Sequence, residues 1–162
     1  MPESLNEVEV IAPNLKRKLS GVTSTIVQLV PLQRANGLGI VTIGPGLPST
    51  LPHIGWVDLL GAWSKPHNRP FRIWHARRNT EMVAGIILRS VLRMRFKLLF
   101  TSAAQRDHRP FTKWLIRQMD GVIATSGRSG SFLKVPHRVI MHGVDTEKFH
   151  PPQNAEDRFS AS

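Results

Sequence analysis

The chain alternates short apolar runs with amphipathic stretches, and polar turns separate them. The apolar runs have the length and the near-continuous hydrophobicity of buried strands. They are residues 8–11, 39–43, 71–74, 97–101, 121–125 and 138–141. Helical spacing predicts helices over residues 21–34, 80–94, 111–119 and 127–133, and a short helix over residues 56–63. This alternation predicts an α/β fold with a doubly wound, mostly parallel sheet.

Residues 71–97 form the central unit of this pattern: a strand, a polar turn and a helix. The turn begins at His75 and lies at the carboxyl end of the strand, where open parallel sheets bind ligands. Asn79 is expected to be the N-cap of the helix, with Glu81 in its first turn. The inward face of that helix is expected to hold Met82, Val83, Ile86, Ile87, Ser90, Val91 and Met94.

Two further helices also show an apolar face. The short helix is expected to pack Trp56, Leu59, Leu60 and Trp63 in the core, and insertion of these residues into a membrane interface is the alternative. The helix over residues 111–119 is expected to turn Phe111, Trp114, Leu115 and Met119 inward, with Lys113 and Arg117 outward.

Ser20 and Gly21 lie between the first strand and the first helix. Glycine permits close backbone approach, and free amides at a helix N-terminus attract anions. The pair is therefore a candidate phosphate-binding loop, although it matches neither a Walker A loop nor GxGxxG, and a simple N-cap role for Ser20 is the alternative. Pro31 is expected to kink or end the helix.

The net charge of +11 and the pI near 11.4 favour an anionic partner, such as nucleic acid, lipid headgroups or a phosphorylated substrate. A solvated basic face is the alternative. The absence of cysteine excludes disulfides and thiolate metal sites, and the histidines lack metal-ligand spacing, so no metal is expected. The apolar runs are shorter than the roughly 18 residues of a membrane span, which predicts a soluble or peripheral protein.

The closing segment, VIMHGVDTEKFHPP at residues 139–152, resembles the interdomain hinge of retaining glycosyltransferases of the GT-B fold, family 4. The matching residues are His142, Gly143, Val144, Asp145, Phe149 and Pro151. The segments IWHARRNTEM, LLFTSAAQR and VIATS look most like bacterial lipopolysaccharide core mannosyltransferases, which use GDP-mannose.

This resemblance implies a domain organisation. Residues 1–141 would be the N-terminal, acceptor-side Rossmann-like domain, 142–152 the hinge and 153–162 a disordered or truncated tail. The C-terminal domain that holds the sugar nucleotide in that family would be absent. The chain is then expected to be a truncated hexosyltransferase with little or no turnover of its own, a non-catalytic remnant, or one half of an enzyme whose second domain comes from a separate chain.

The resemblance also implies sugar transfer with retained anomeric configuration. Ser20 and Gly21 would face the donor diphosphate, while no catalytic residue is assigned. The candidates for acceptor or sugar contacts are His75, Arg77, Arg78, Asn79, Thr101, Ser102 and Ser126. A strand-capping role is the alternative for His75, and solvent exposure is the alternative for Arg77 and Arg78. Asp145 would fix the hinge turn.

The implied partners are a nucleotide sugar, GDP-mannose, acting as co-substrate with no resident cofactor, a lipid-linked saccharide acceptor and an anionic membrane surface. The implied location is cytoplasmic and peripheral on the inner membrane. A basic nucleic-acid-binding α/β module is the rival interpretation of the charge. The chain has no RNP-like aromatic run, no zinc-finger spacing and no tyrosine, so no specific nucleic acid is expected.

Overall fold

Seven parallel strands form one sheet in the structure, a computed structural model that describes residues 5–17, 20–141 and 143. The strands are β1 (Val10–Pro13), β2 (Ile40–Ile43), β3 (His53–Ile54), β4 (Arg72–Ala76), β5 (Phe96–Ser102), β6 (Gly121–Ala124) and β7 (Arg138–Val139). Their spatial order is β3-β2-β1-β4-β5-β6-β7. The predicted doubly wound, parallel α/β sheet is confirmed.

Helices connect the strands on both faces of the sheet. They are α1 (Gly21–Ala35), a 3-10 helix (Asp58–Trp63), α2 (Asn79–Ile86), a π-helical turn (Ile87–Val91), α3 (Pro110–Arg117) and α4 (Gly127–Ser131). Within the described part of the chain, the longest of these is still too short and too polar to cross a bilayer.

The sheet separates two apolar cores, because successive strand residues point to opposite faces. On one face, Ile26 and Val30 of α1 pack with Val10, Ala12 and Ile40. The other face carries the remaining helices and the larger core.

Trp74 lies in that larger core and is fully buried. A Cβ at Gly85 of α2 would lie 2.6 Å from Trp74 Cδ1, and Trp74 Nε1 donates to the Glu81 carbonyl over 2.8 Å. Helix α2 therefore lies directly on this indole.

The first residue of β4, Arg72, is buried at the amino edge of the sheet. Its guanidinium donates to the Val8 carbonyl over 3.0 Å and to the Ala62 carbonyl over 3.2 Å, and it also bonds the carbonyls of Leu5 and Ser64. This side chain thereby joins the N-terminal segment, the 3-10 helix and the strand.

Several predicted boundaries are wrong by one or two residues. The first strand begins at Val10 rather than Val8, and the two-residue β3 lacks the apolar run that would have predicted it. His75 belongs to β4 and not to the following turn, because the strand continues through Ala76. The N-cap of α2 is Arg78, and Asn79 is the first helical residue. Helix α1 contains Pro31 and continues to Ala35.

The prediction that Ile87, Ser90 and Val91 face the core is wrong, since all three are exposed. Leu88 is buried instead. The cause is the π-helical turn, whose wider winding rotates the residues after Ile86 relative to a regular helix.

The predicted inward packing of two aromatic sets is also wrong. Phe111 and Trp114 of α3 are exposed, while Thr112, Leu115 and Ile116 are buried. Trp56, Leu60 and Trp63 are exposed too, and Leu59 is the one residue of that predicted face that is buried. In both segments apolar residues occupy more than one side of the helix, so spacing alone does not identify the inward face.

Candidate functional site

The strand order places a topological switch point between β1 and β4. Helix α1 follows β1 on one face of the sheet, and α2 follows β4 on the other. The two connections diverge at the carboxyl ends of these strands, which opens a crevice there. Open α/β sheets bind their ligands in such crevices.

Arg78 connects the two sides of this crevice. Its Nη1 donates to Asn14 Oδ1 over 2.7 Å and to Glu81 Oε1 over 2.9 Å. Its Nη2 donates to Ser20 Oγ over 2.7 Å and to Thr23 Oγ1 over 3.2 Å. The predicted residues Ser20 and Arg78 are thus in direct contact. With four side-chain partners, the guanidinium holds the start of α1 against the end of β4.

Two buried side chains fix the geometry around that guanidinium. Asn14 donates through Nδ2 to the carbonyls of Lys16 and Pro45, over 2.9 and 2.6 Å. Glu81 accepts through Oε2 from the backbone amides of Arg77 and Arg78, over 2.8 and 3.1 Å. Both Asn14 and Glu81 are inaccessible to solvent. The loop after β1 and the turn after β4 are therefore each fixed by a buried side chain.

His75 projects from the end of β4 toward β5. Its Nε2 lies 2.7 Å from Thr101 Oγ1, so two predicted residues meet here. Burial, and secondly the neighbouring charge of Arg77, hold the pKa of His75 well below its ordinary value. The imidazole is therefore neutral at pH 7 and can exchange hydrogen bonds but not act as a cation.

Arg77 is the second half-buried cation of the crevice. Its guanidinium lies 3.4 Å from the His75 carbonyl and 3.5 Å from His75 Nδ1. Burial lowers the pKa of Arg77 to about 10, while the charge of Glu81 acts in the opposite direction. Arg77 stays charged at neutral pH, and a desolvated cation attracts an anion more strongly than a solvated one.

Ser20 and Gly21 begin α1 without a side-chain cap. Ser20 has the extended backbone of an N-cap, but its side chain makes no capping bond and its Oγ accepts from Arg78 instead. A Cβ at Gly21 would meet nothing within 4 Å, so open space adjoins the helix start. The first-turn amides therefore face a site where an anion can approach.

The other predicted contacts are held by protein partners. Ser102 is buried with its Oγ 3.2 Å from His108 Nε2. Ser126 caps α4 by accepting from the Ser129 amide over 3.0 Å. Asn79 donates to Thr112 Oγ1 over 2.8 Å and ties α2 to α3.

A cavity of about 500 Å³ adjoins these last contacts at the carboxyl end of β5. It is lined by Ala104, Gln105, Arg106, Asp107, His108, Arg109 and Thr112. Burial lowers the pKa of His108, which favours the neutral ring there. The cavity is large enough for part of a polar ligand, and two of its lining residues, Thr112 and His108, are bonded to Asn79 and Ser102.

Sequence reasoning missed Asn14, Thr23 and His108. Asn14 follows β1 directly, so the rule that selected His75, a polar residue at a strand end, would also have selected it. The contacts of Thr23 and His108 depend on chain folding, and no local pattern indicates them.

The hinge residues His142, Val144, Asp145, Phe149 and Pro151 lie outside the described residues, as does the segment after them. Gly143 is described and is exposed. Within the described ranges, the histidines and carboxylates form no group that could hold a metal ion.

The chain is similar, over 100% and 91% of its length, to parts of two curated rhizobial proteins. Lipopolysaccharide core biosynthesis mannosyltransferase LpcC from Rhizobium leguminosarum bv. viciae is 63% identical over 162 residues, which are 100% of this chain and 46% of that protein. Lipopolysaccharide core biosynthesis mannosyltransferase LpsB from Rhizobium meliloti (strain 1021) is 57% identical over 148 residues, which are 91% of this chain and 42% of that protein.

The chain thus spans less than half the length of these relatives and corresponds to their N-terminal part. The predicted resemblance to lipopolysaccharide core mannosyltransferases is confirmed. No family model matches the chain, and no solved structure matches it significantly.

Proposed function

We propose, from the 63% identity that relates the whole chain to a lipopolysaccharide core mannosyltransferase, that this chain is the acceptor-side part of an enzyme with the same activity. The reaction is transfer of mannose from a nucleotide sugar, GDP-mannose, to a lipid-linked saccharide of the lipopolysaccharide core. A hexosyltransferase of GT-B architecture would hold the nucleotide mainly in a second domain, for which the unmatched length of the relatives leaves room.

The crevice between β1 and β4 is the proposed sugar-transfer site. Arg77 and the free amides at the start of α1 are the groups of this chain that suit a diphosphate. Arg77 supplies a partly desolvated positive charge, and the amides supply hydrogen-bond donors. Arg78 acts as a positioning residue, since its guanidinium is already shared among four side chains.

The chemistry breaks the bond between the mannose anomeric carbon and the diphosphate oxygen, and the acceptor hydroxyl oxygen bonds that carbon with retained configuration. The hydroxyl proton passes to the departing diphosphate. Negative charge grows on the departing diphosphate, and Arg77 stabilises it. His75, being neutral, orients a sugar hydroxyl together with Thr101. The cavity beside Ser102 is the proposed place for the acceptor saccharide.

The location that suits a lipid-linked acceptor is the cytoplasmic face of the inner membrane, with peripheral attachment. The basic character of the chain supports this, because anionic lipids attract lysine and arginine near the surface.

Reconstitution tests the function directly. The chain would be mixed with the unmatched part of the Rhizobium leguminosarum relative, and transfer of labelled mannose from GDP-mannose to a lipopolysaccharide core acceptor would be measured. Transfer is expected from the mixture and from neither part alone. Vigorous transfer by this chain alone would contradict its assignment to the acceptor side.

Donor choice is tested in the same mixture with GDP-glucose and UDP-glucose as competitors. GDP-mannose is expected to be the preferred donor. Arg77→Gln should lower kcat about 100-fold, the usual cost of removing one charge-stabilising group. An unchanged kcat would exclude Arg77 from the diphosphate.

A further inference from the structure

We propose that the half of the sheet that lies beyond helix α1 is a docking surface for an amphipathic helix. That helix would come from the part of the mannosyltransferase relatives that this chain does not match. The docking surface consists of side chains of β4, β5 and β6 that point to the same side as Val10 of β1. They are Ile73, Lys97, Leu99, Thr101, Gly121 and Ile123, which we call the open face. This inference rests on the proposed function, because only the longer enzyme would supply the helix.

Burial alternates along these strands, so that one side of each strand is closed and the other is not. Leu98 and Phe100 of β5 point into the larger core and are at most 4% exposed. Leu99 lies between them, and it remains partly exposed, as does Ile123 of β6. Under α1 the same side of the sheet is closed, since Ile40 of β2 is inaccessible to solvent. The partial exposure is therefore confined to the strands that α1 does not cover.

The handedness of the strand connections explains why no described helix covers the open face. A crossover between parallel strands is almost always right-handed. From β1 to β3 the strands advance toward one edge of the sheet, so α1 lies on one side. From β4 to β7 they advance toward the other edge, so α2, α3 and α4 lie on the opposite side. Parallel sheets are normally covered on both faces, so a further element is needed over β4, β5 and β6.

A cavity of about 330 Å³ in the open face marks where such a helix would seat its side chains. Phe71, Ile73 and Leu99 supply its apolar wall. Lys97 and Asp120 border that wall with an ion pair of 3.0 Å. A cavity of about 150 Å³ holds a benzene-sized group, so this one has room for about two large apolar side chains.

Length and charge select the occupant. The matched residues are 46% and 42% of the two relatives, so more than half of each relative could supply a covering helix. A second copy of this chain is disfavoured, because both copies would carry a net charge of +11. Arg138 of β7 lies beside Ile123 and is exposed, so acidic residues at the edge of the incoming helix would complement it. A helix suits this side of the sheet because α1 already forms a helical layer there.

Thiol labelling tests the docking surface directly, because the chain has no cysteine of its own. Lys97→Cys and Ile123→Cys would each place one thiol on the open face. The matched control is Leu60→Cys, at an exposed position of the 3-10 helix, which packs on the opposite side of the sheet. Each variant would be mixed with the unmatched part of the Rhizobium leguminosarum relative, with any cysteine of that part replaced by serine.

The rate of reaction with a maleimide is expected to fall at least about tenfold on mixing for Lys97→Cys and Ile123→Cys, and to stay unchanged for Leu60→Cys. Lys97 is the more decisive position. It lies four residues before Thr101, which is about 13 Å along the strand from the end that carries the crevice. Protection at Lys97→Cys would therefore not follow from contacts at the crevice alone.

Glutamate variants measure how much the apolar contact contributes to association. Leu99→Glu combined with Ile123→Glu should weaken binding of the unmatched part at least about 100-fold, because two apolar contacts are replaced by charges. Leu32→Glu combined with Leu60→Glu adds the same charge at two exposed leucines elsewhere and should have little effect. Circular dichroism would establish that each variant is folded before mixing, and the thiol experiment does not depend on these variants.

Three results would overturn the proposal: no association of the two parts, association without protection at Lys97→Cys, or equal weakening by the two pairs of glutamate variants. Self-association that protects Ile123→Cys in the isolated chain would overturn it in favour of a second copy. Mannose transfer by the mixture is a separate measurement. Transfer without protection would leave the proposed function intact, whereas protection without transfer would contradict that function and leave the docking surface standing.

Discussion

The two ends of strand β4 both carry a buried or nearly buried arginine, yet the two side chains have different kinds of partners. Arg72 at the amino end donates to four backbone carbonyls. Arg78, two residues after the carboxyl end, donates to an amide, two hydroxyls and a carboxylate, all on side chains. One end is closed by backbone carbonyls, and the other is assembled from polar side chains, of which Ser20 is exposed.

This difference favours the carboxyl end of β4 as the candidate site. The four carbonyls around Arg72 are acceptors that are already paired with one buried guanidinium, so they offer a ligand no donor. Around Arg78, the Ser20 hydroxyl is exposed, and Arg77 is a second cation at the same end of β4. Variants at the two ends should therefore differ in what they damage, and the expected effects below run from largest to smallest.

Arg72→Met should cause the largest loss of stability, about 3 kcal/mol or more, because buried carbonyls lose their donors. The corresponding fall in melting temperature is about 6–12 °C for a chain of this size. Urea unfolding followed by circular dichroism would measure it. A loss below about 1 kcal/mol would mean that water replaces the guanidinium and that the amino end is not closed.

Arg78→Lys should cost about 2 kcal/mol, since lysine keeps a charge beside Glu81 but cannot bond Asn14, Ser20 and Thr23 together. The first turn of α1 should loosen, and amide hydrogen exchange at Ser24 would report this as faster exchange. Arg69→Lys is the control, because Arg69 pairs with Glu9 at an exposed site where the same change costs little. Equal effects of the two substitutions would remove the distinction between the ends.

His75→Asn should reduce the dependence of stability on pH. The folded chain holds the pKa of His75 well below 6.5, so below pH 6.5 the unfolded chain binds a proton that the folded chain does not. Stability is therefore lost as pH falls from 7 to 5, at up to about 1.4 kcal/mol per pH unit for this group.

Denaturation at pH 7 and pH 5 would measure that slope. Between these two pH values, the His75→Asn variant should lose about 1–2 kcal/mol less folding stability than the parent chain. His108 titrates in the same direction and remains in both proteins, so part of the slope should persist. Parallel slopes for His75→Asn and the parent would show that the imidazole is hydrated.

Ser126→Ala should have the smallest effect, about 1 kcal/mol, which is typical for loss of an N-cap. Thermal melts would measure it. In the reconstituted mixture, the kinetics of mannose transfer should stay as in the parent. A clear rise in KM would instead restore Ser126 as a ligand contact.

Much of the fold follows from local pattern. Continuous apolar runs such as GIVTI and KLLFT become buried parallel strands because both faces of the sheet carry helices. Which face of a helix points toward the core was less predictable. The π-helical turn after Ile86 and the apolar residues on both sides of α3 changed which residues point inward, and spacing along the chain does not report either.

The candidate site remains a prediction, but the structure shows where its residues lie. Polar residues after strands are visible in the sequence, and Ser20, His75, Arg77 and Arg78 all lie near the carboxyl edge of the sheet, as expected. The bond between Arg78 and Asn14 joins residues 64 positions apart, and only the crossover between β1 and β4 creates it. Local reasoning therefore identifies the edge, while the division between contact and positioning residues needs the tertiary structure.

The outermost strands, β3 and β7, have two residues each. An edge that short presents few unpaired amides and carbonyls, so a second chain gains little by adding a strand there. The sheet can thus remain parallel and open-ended without inviting edge-to-edge aggregation. Partners are directed to the faces and the crevice, where side-chain chemistry, and not backbone pairing, decides what binds.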